Sequence, residues 1–201
     1  MEYFLLCTLW IVWCFLHSFF TTSRTTTWFK NHLGNRVNFY RLAYNLFSLM
    51  TVLPLLYWHG KIAGPVVIPL SPLLRHFKII IIIPAITLMA AAFFSFDTKE
   101  FLGIKQITGR TKINTVPAIT KRGLYGIVRH PIYLAGFIFF LALITDAPLA
   151  QFLGYLILAI YMVIGTLRED RRLANELGDV YRRYQKEVPM FLPKFSRKNR
   201  Q

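Results

Sequence analysis

Residues 131–167 read PIYLAGFIFFLALIT, DAPL and AQFLGYLILAIYMVIGTL, two apolar runs with only four residues between them. Both runs are shorter than the ~20 residues that usually cross a bilayer as a helix. A connection this short joins neighbouring antiparallel helices. Pro131 suits the first turn of a helix, where the missing N–H is not needed. The segment therefore predicts a tight helical hairpin with spans at about 131–145 and 150–167.

Three further apolar runs precede the hairpin, at about 3–20, 40–58 and 77–96. The 55% content of hydrophobic residues and the mean hydropathy of +0.43 exceed what a soluble domain usually shows. We predict an all-α integral membrane protein of about five transmembrane helices, one membrane domain over residues 1–201. Residues 1–98 would form a three-helix part, and residues 99–201 a long loop, the hairpin and a tail. With no basic region before it and no small-residue cleavage site after it, the first run predicts a retained anchor.

The net charge of +15 is distributed unevenly between the two ends of these spans. Segments 21–41, 99–130 and 168–201 hold 4, 7 and 10 of the 24 Lys and Arg residues, which leaves three at the opposite ends. By the positive-inside rule this pattern predicts an outside N-terminus and a cytoplasmic C-terminus. It also argues against nucleic-acid binding, because the cations flank apolar spans and the aromatic residues lie within them. No paired His or Cys spacing indicates a metal site.

The chain after the hairpin has the pattern of an amphipathic tail helix. A stripe at steps of three or four residues begins one turn after Glu169, and its members are Leu173, Leu177, Tyr181, Tyr184 and Val188. Pro189 and Pro193 end it. Gly178 within the stripe suggests a close approach to another backbone or to a ligand. A basic helix lying on lipid explains the charges, although it would not require the acidic pair Glu169-Asp170.

The residues that join the long loop to the hairpin indicate a candidate ligand-binding site. Residues 120–131 read TKRGLYGIVRHP and combine turn glycines, cations, an aromatic ring and a titratable imidazole. The hairpin brings residue 130 and the acidic pair to one surface. Such a pocket suits a ligand whose hydroxyl or ammonium groups bind Glu169 and whose flat ring lies on Tyr125 or Tyr133. A purely structural helix cap explains the same residues.

These residues also carry a resemblance to a known family. G-x-Y-x-x-x-R-H-P-x-Y-x-x-G over residues 123–136, the hairpin, and E-D-x-x-L-x-x-x-L-G-x-x-Y-x-x-Y-x-x-x-V-P-x-x-L-P over residues 169–193 resemble the isoprenylcysteine carboxyl methyltransferase family. That family is related to membrane phospholipid methyltransferases and to NnrU-type proteins. The match extends over about 117–193, and NnrU-like features occur near His17-Ser18 and Tyr40-Arg41.

The resemblance implies an S-adenosylmethionine-dependent methyltransferase that binds its cofactor at the cytoplasmic face. It implies cofactor contacts at Pro117, Ala118, Ile119, Thr120, Tyr125, His130, Pro131, Ile132, Tyr133 and Glu169. Carboxyl-methylating members have an Arg four residues before this Glu, where the present chain has Gly165. The acceptor is therefore left open among a carboxylate, a thiol and an amine on an apolar or lipid-like molecule that enters from the membrane. The sequence assigns no catalytic residue.

Three polar residues of the first two spans are candidates for binding the substrate. His17 lies near the cytoplasmic end of the first span, at the depth of Arg41 and Asn45 on the second, and ionisable groups within a membrane often have functions. An interfacial histidine and a snorkelling arginine explain them equally well. Two other functions compete with the enzyme: a non-catalytic scaffold or assembly protein with the same fold, and a transporter. The transporter has little support, because the spans lack charges at mid-depth.

Overall fold

The computed structural model describes residues 1–33, 39–95, 104, 121 and 123–192, and this part of the chain is helical. We number its α-helices in chain order: α1 Glu2–Thr21, α2 Ser23–Leu33, α3 Tyr40–Lys61, α4 Pro72–Phe94, α5 Pro131–Ile144, α6 Leu149–Leu177 and α7 Asp179–Glu187. A short 3-10 turn at Gly123–Gly126 precedes α5. The predicted all-α class is confirmed for these residues. The α2 helix was not predicted.

Among the described helices, α1, α4 and α6 are long and apolar enough to cross a membrane. The α5 helix is apolar but shorter, and α3 has the length without reaching the same hydropathy because it carries several polar side chains. The chain is therefore a membrane protein, but the predicted number of five spans is not confirmed. The order of packing is α4, α5, α6, α1 and α3, with each helix against the next.

The hairpin forms as the sequence predicted, with Pro131 in the first turn of α5. Its turn is held by the connection between α3 and α4. Backbone N–H groups of Asp146, Val67 and Leu149 donate to carbonyls across the two loops at 2.8, 3.2 and 2.9 Å. Asp146 adopts a φ of 59° and forms an ion pair with Arg75 at 2.7 Å. We call this side of the molecule the Asp146 end, and the opposite side, where α5 begins, the Arg129 end.

Helices α1, α3 and α6 meet most closely around a buried histidine. His59 is 2% exposed, lies edge-on to Trp10 with ring centroids 5.6 Å apart, and has its Nε2 3.2 Å from the carbonyl oxygen of Ala150. Gly154 faces this pair, and a Cβ placed there would come within 2.7 Å of the imidazole. A side chain at position 154 would therefore push the helices apart.

The last span and the start of the tail form one continuous helix, α6, rather than two separate elements. Residues 168–177 contain no proline or glycine, so nothing ends the helix at Leu167. The break falls at Gly178, which has φ 57° and ψ −133°, a conformation that is essentially restricted to glycine. The expected close approach to another backbone at Gly178 is wrong for the described residues, since a Cβ there would meet nothing within 4 Å. The alternative, a ligand close to Gly178, stays a prediction. The tail stripe is confirmed: Tyr181, Tyr184 and Val188 are buried together against α6.

Candidate functional site

A buried carboxylate at the Arg129 end accepts hydrogen bonds from two other parts of the chain. Asp170, on α6, accepts hydrogen bonds from Arg129 Nε and Nη2 at 3.1 Å each. His130 Nε2 lies 2.9 Å from the same carboxylate. From α7, the Tyr181 hydroxyl donates to it at 2.7 Å and the Gln185 amide at 2.8 Å. We call Arg129, His130, Asp170, Tyr181 and Gln185 the clamp.

Backbone hydrogen bonds extend the clamp to the end of the tail. Arg129 Nη1 donates to the carbonyls of Gln185 and Val188 at 3.1 and 2.6 Å. The N–H groups of Arg129 and His130 donate to the carbonyls of Pro189 and Met190. The start of α5 is therefore fixed to the segment that follows α7. In addition, the Tyr184 hydroxyl donates to the Tyr125 carbonyl at 2.6 Å, which holds the 3-10 turn in place.

The clamp determines the protonation of its members. A carboxylate can only accept hydrogen bonds, so His130 carries a proton on Nε2. Burial, and then the hydrogen bond to Asp170, raise the pKa of Tyr181, which keeps its hydroxyl protonated as a donor. His130 is 5% exposed. The cofactor contact expected at His130 stays a prediction, and it would involve Nδ1 or the ring face because Nε2 is engaged.

Glu169 lies beside the clamp in a different environment. Its side chain is 30% exposed, and the ion pair with Arg172 is long, at 3.7 Å. Tyr133 and Tyr125 both lie close enough to Glu169 to be affected by its charge. Burial raises the pKa of Tyr125, and the charge of Glu169 raises it further. The structure thus brings together three of the predicted cofactor residues around one accessible carboxylate.

Gly165 explains how Tyr133 reaches this position. The Tyr133 ring lies against α6 there, with its Cε1 3.6 Å from the place where a Cβ would stand. A long side chain at position 165, such as the Arg of carboxyl-methylating members, would have to displace the ring. In this chain the Tyr133 ring therefore occupies space that the Arg side chain would need.

The remaining predicted cofactor residues divide into two groups. Pro131 is buried and Ile132 half-buried at the start of α5, next to the clamp. The other group lies outside the described residues and consists of Pro117, Ala118, Ile119 and Thr120. Pro193, expected to end the tail, also lies outside them.

The predicted substrate residues lie between α1, α3 and α6. His17 Nδ1 is 3.1 Å from Ser48 Oγ. Asn45 and Arg41 precede Ser48 by one and two turns of α3; Asn45 is half-buried and Arg41 is exposed. The structure therefore brings His17 directly to the polar face of α3 on which Asn45 and Arg41 lie.

Aromatic rings enclose the His17 imidazole. Trp13 stacks on it with centroids 5.1 Å apart, and Tyr44 lies at 6.0 Å. Tyr161 of α6 meets it edge-on at 6.4 Å. The Tyr161 hydroxyl is also 2.9 Å from Ser18 Oγ. We call these residues the His17 cluster: Trp13, His17, Ser18, Tyr44, Ser48 and Tyr161.

An apolar groove of about 350 Å³ lies next to the His17 cluster, between α1 and α3. Trp13 belongs to both, and its indole N–H donates to Thr51 Oγ1 at 3.1 Å. The groove is lined by Leu9, Val12, Trp13, Leu16, Phe47, Thr51, Pro54, Leu55 and Trp58. It is separate from the Glu169 region and almost wholly apolar.

Sequence reasoning missed most of the clamp. Arg129 was noticed only as part of a motif, and Asp170, Tyr181 and Gln185 were not proposed for the site. One signal was present: the acidic pair Glu169-Asp170 follows directly on the apolar part of the helix, where one of the two carboxylates could become buried. A buried carboxylate needs donors, and Arg129-His130 was the available cationic pair at the same surface.

Comparison with known proteins gives a family match and several relatives. The model of the family described as "NnrU protein" matches residues 5–193. "Methanethiol S-methyltransferase 1" of Bradyrhizobium diazoefficiens is 30% identical over 184 residues, which is 88% of this chain and 62% of that protein. A "Methanethiol S-methyltransferase" of Pseudomonas sp. (strain GM41(2012)) is 37% identical over 97 residues, 47% of this chain and 37% of that protein.

A third relative, "Methanethiol S-methyltransferase" of Pseudomonas deceptionensis, is 34% identical over 116 residues, 55% of this chain and 42% of that protein. The chain thus spans between 37% and 62% of the length of these curated relatives. No solved structure matches the chain. The NnrU-like features expected only near the N-terminus are confirmed and extend through the hairpin and tail.

Proposed function

Because the chain belongs to the NnrU family, we propose that it is a membrane methyltransferase that uses S-adenosylmethionine to methylate a thiol on a small apolar molecule. The observation that carries the proposal is the position of Glu169. Its carboxylate stands accessible beside Tyr125 and Tyr133, while the neighbouring Asp170 is fully engaged in the clamp. Within the acidic pair, Asp170 therefore stabilises the fold, and Glu169 is the residue available to bind a ligand.

The residues around Glu169 fit S-adenosylmethionine. A carboxylate accepts hydrogen bonds from ligand hydroxyl or ammonium groups, and the Tyr125 and Tyr133 rings offer flat surfaces for a nucleobase. Aromatic faces also attract cationic groups. When bound, S-adenosylmethionine supplies a methyl group on a positively charged sulfur. The predicted contacts at 117–120 would complete the site.

A thiol is favoured over a carboxylate as the acceptor. The three relatives are named methanethiol S-methyltransferases. Within this chain, Gly165 provides no cation to pair with a carboxylate, and the Tyr133 ring occupies the space in front of it. The chain's own contribution to methyl transfer is then to align the donor and acceptor and to exclude water, which can supply a large part of the rate.

We place the Arg129 end on the cytoplasmic side and the N-terminus outside. The support is the distribution of Lys and Arg along the sequence, since all but three of the 24 belong to segments 21–41, 99–130 and 168–201, which alternate with the predicted spans. Cytoplasmic S-adenosylmethionine would then reach Glu169 from water, while an apolar acceptor would enter from the surrounding lipid.

Calorimetry on the detergent-purified protein tests the proposal. We expect S-adenosylmethionine to bind, and methyl transfer to methanethiol or ethanethiol to yield the corresponding thioether. Glu169→Gln should weaken cofactor binding by roughly tenfold, the effect of losing a charged hydrogen-bond partner of about 1.5 kcal/mol. Glu176→Gln, an exposed change on the same helix, is the control and should leave the affinity unchanged.

Two results would oppose this function. A folded protein that binds no S-adenosylmethionine would favour a scaffold that keeps the fold without the chemistry. Binding without methylation of any thiol, but with methylation of an amine or of a prenylcysteine carboxylate, would show that the acceptor has been assigned wrongly.

A further inference from the structure

The His17 cluster is a set of polar and aromatic side chains that neither the clamp nor the Glu169 region includes. Three helices converge on one imidazole: α1 provides His17, α3 provides Ser48 on its Nδ1, and α6 provides Tyr161 against its edge. Polar groups inside a helical membrane protein are costly unless they are satisfied or used. Ser18, Tyr44 and Trp13 satisfy or shield the others.

One nitrogen of this imidazole is left available. Nδ1 is paired with Ser48, and no described residue forms a hydrogen bond with Nε2. In the described part of the chain, the fully enclosed polar atoms without a partner do not include Nε2. This nitrogen is therefore not completely covered by protein. The structure therefore holds His17 by one nitrogen and leaves the other accessible.

The α6 helix connects this imidazole to the proposed cofactor site. Tyr161, Gly165 and Glu169 follow one another at steps of four and so share one face of α6. The distance along the axis from Tyr161 to Glu169 is about 12 Å, eight residues at the helical rise. Tyr133 spans part of this distance: it covers Gly165 and lies near both Glu169 and Tyr161. The His17 cluster and Glu169 are thus the two ends of one continuous polar and aromatic surface.

We propose that the His17 cluster is the acceptor end of the methyl-transfer site and that Nε2 of His17 takes the proton of the acceptor thiol. This inference rests on the proposed function. The acceptor sulfur forms a new bond to the methyl carbon while the bond between that carbon and the donor sulfonium breaks. The electron pair of the broken bond stays on the departing thioether, and the thiol proton goes to Nε2. Ser48 accepts from Nδ1–H and so keeps the lone pair on Nε2.

The apolar groove supports the same assignment. It adjoins the cluster through Trp13, whose ring forms one wall of the groove and stacks on His17. A small apolar thiol would reach the imidazole from this side without crossing the charged Arg129 end. None of the described residues that line the groove is charged, which disfavours an ionised acceptor.

The test compares two thiols with the same carbon skeleton, ethanethiol and trifluoroethanethiol. The fluorines lower the thiol pKa of the second, so it gives up its proton more readily and depends less on a base. We expect His17→Gln to lower kcat/KM for ethanethiol by about 100-fold, the lower end of what a general base contributes. The loss for trifluoroethanethiol should be several times smaller. Affinity for S-adenosylmethionine, measured by calorimetry, should stay within about twofold, because Tyr161, the α6 residue that His17 contacts, lies ~12 Å from Glu169 along the axis of α6.

His76→Gln is the matched control, since His76 is an exposed histidine at the Asp146 end of α4. It should change neither thiol reaction. An equal loss with both thiols, or no loss, would overturn the role of His17 while leaving the proposed function standing. If the unaltered protein methylates neither thiol, the proposed function fails and the acceptor site fails with it. His17→Asn, which keeps a donor for Ser48 on a shorter side chain, repeats the test should the Gln variant not fold.

Discussion

Removal of the Asp170 charge is the sharpest test of the clamp. Asp170→Asn keeps the size of the side chain but leaves one oxygen and introduces an NH2 group. The carboxylate now serves five donor atoms at 2.7–3.1 Å, two of them on Arg129. The Asn NH2 would face some of these donors, and the Arg129 charge, on a side chain only 8% exposed, would lose its counter-ion.

We expect Asp170→Asn to lower the free energy of unfolding by about 3–5 kcal/mol, the cost of breaking a buried ion pair by removing one partner. The assay is denaturant titration of the purified protein in micelles, followed by the rate at which protease cuts the tail. Both should respond, because this carboxylate and Arg129 connect α7 to the start of α5. In a double-mutant cycle, Arg129→Gln combined with Asp170→Asn should cost clearly less than the sum of the two single variants.

An exposed ion pair at the same end provides the control. Glu187→Gln removes the partner of Lys121, where both side chains are about half exposed, and should cost less than about 1 kcal/mol. A similarly small cost for Asp170→Asn would refute the reasoning, since the clamp would then behave as a surface pair. Additive costs in the double-mutant cycle would refute it as well.

Two further predictions concern glycines. Gly154→Ala should lower the free energy of unfolding by about 1–3 kcal/mol through overpacking against His59. Gly60→Ala is the control and should not lower it, because a Cβ there meets no described atom within 4 Å. Equal melting temperatures for the two variants would contradict the close contact of α1, α3 and α6. Gly178→Ala should lower the free energy of unfolding by about 1–3 kcal/mol through backbone strain alone, and protease should release α7 faster. Asn175→Ala is the control and should change neither. Unchanged proteolysis of the Gly178 variant would show that position 178 tolerates an ordinary residue.

Local sequence patterns were enough to predict the hairpin and the buried face of the tail. A connection of four residues, with Asp146 and Pro148 among them, leaves two apolar runs few other arrangements in a membrane. The stripe from Leu173 to Val188 describes one face of a helix whatever lies next to it. By contrast, α2 is a short, mostly polar segment with three large apolar residues, Trp28, Phe29 and Leu33, and its helical conformation was not predicted.

The candidate site could be predicted only in part, because its contacts are not local. Glu169 and Tyr133 were expected to meet, and the structure brings them together through the hairpin. The burial of Asp170 depends on Arg129, 41 positions away, and nothing in the sequence around Asp170 distinguishes its fate from that of Glu169. The Tyr161 side of the His17 cluster was missed for the same reason, since Tyr161 lies in an apolar run among residues that face lipid.

The clamp also has a consequence for biosynthesis. The carbonyls that bind the Arg129 side chain lie as many as 59 residues further along the chain. At the roughly 5–20 residues per second at which chains are made, the hairpin can enter the bilayer seconds before its partners leave the ribosome. During that interval the Arg129 guanidinium lies at the membrane surface without the carboxylate that pairs with it in the folded protein. Closure of the tail over Arg129 therefore follows insertion of the hairpin, which would keep a half-made chain from offering a finished ligand site.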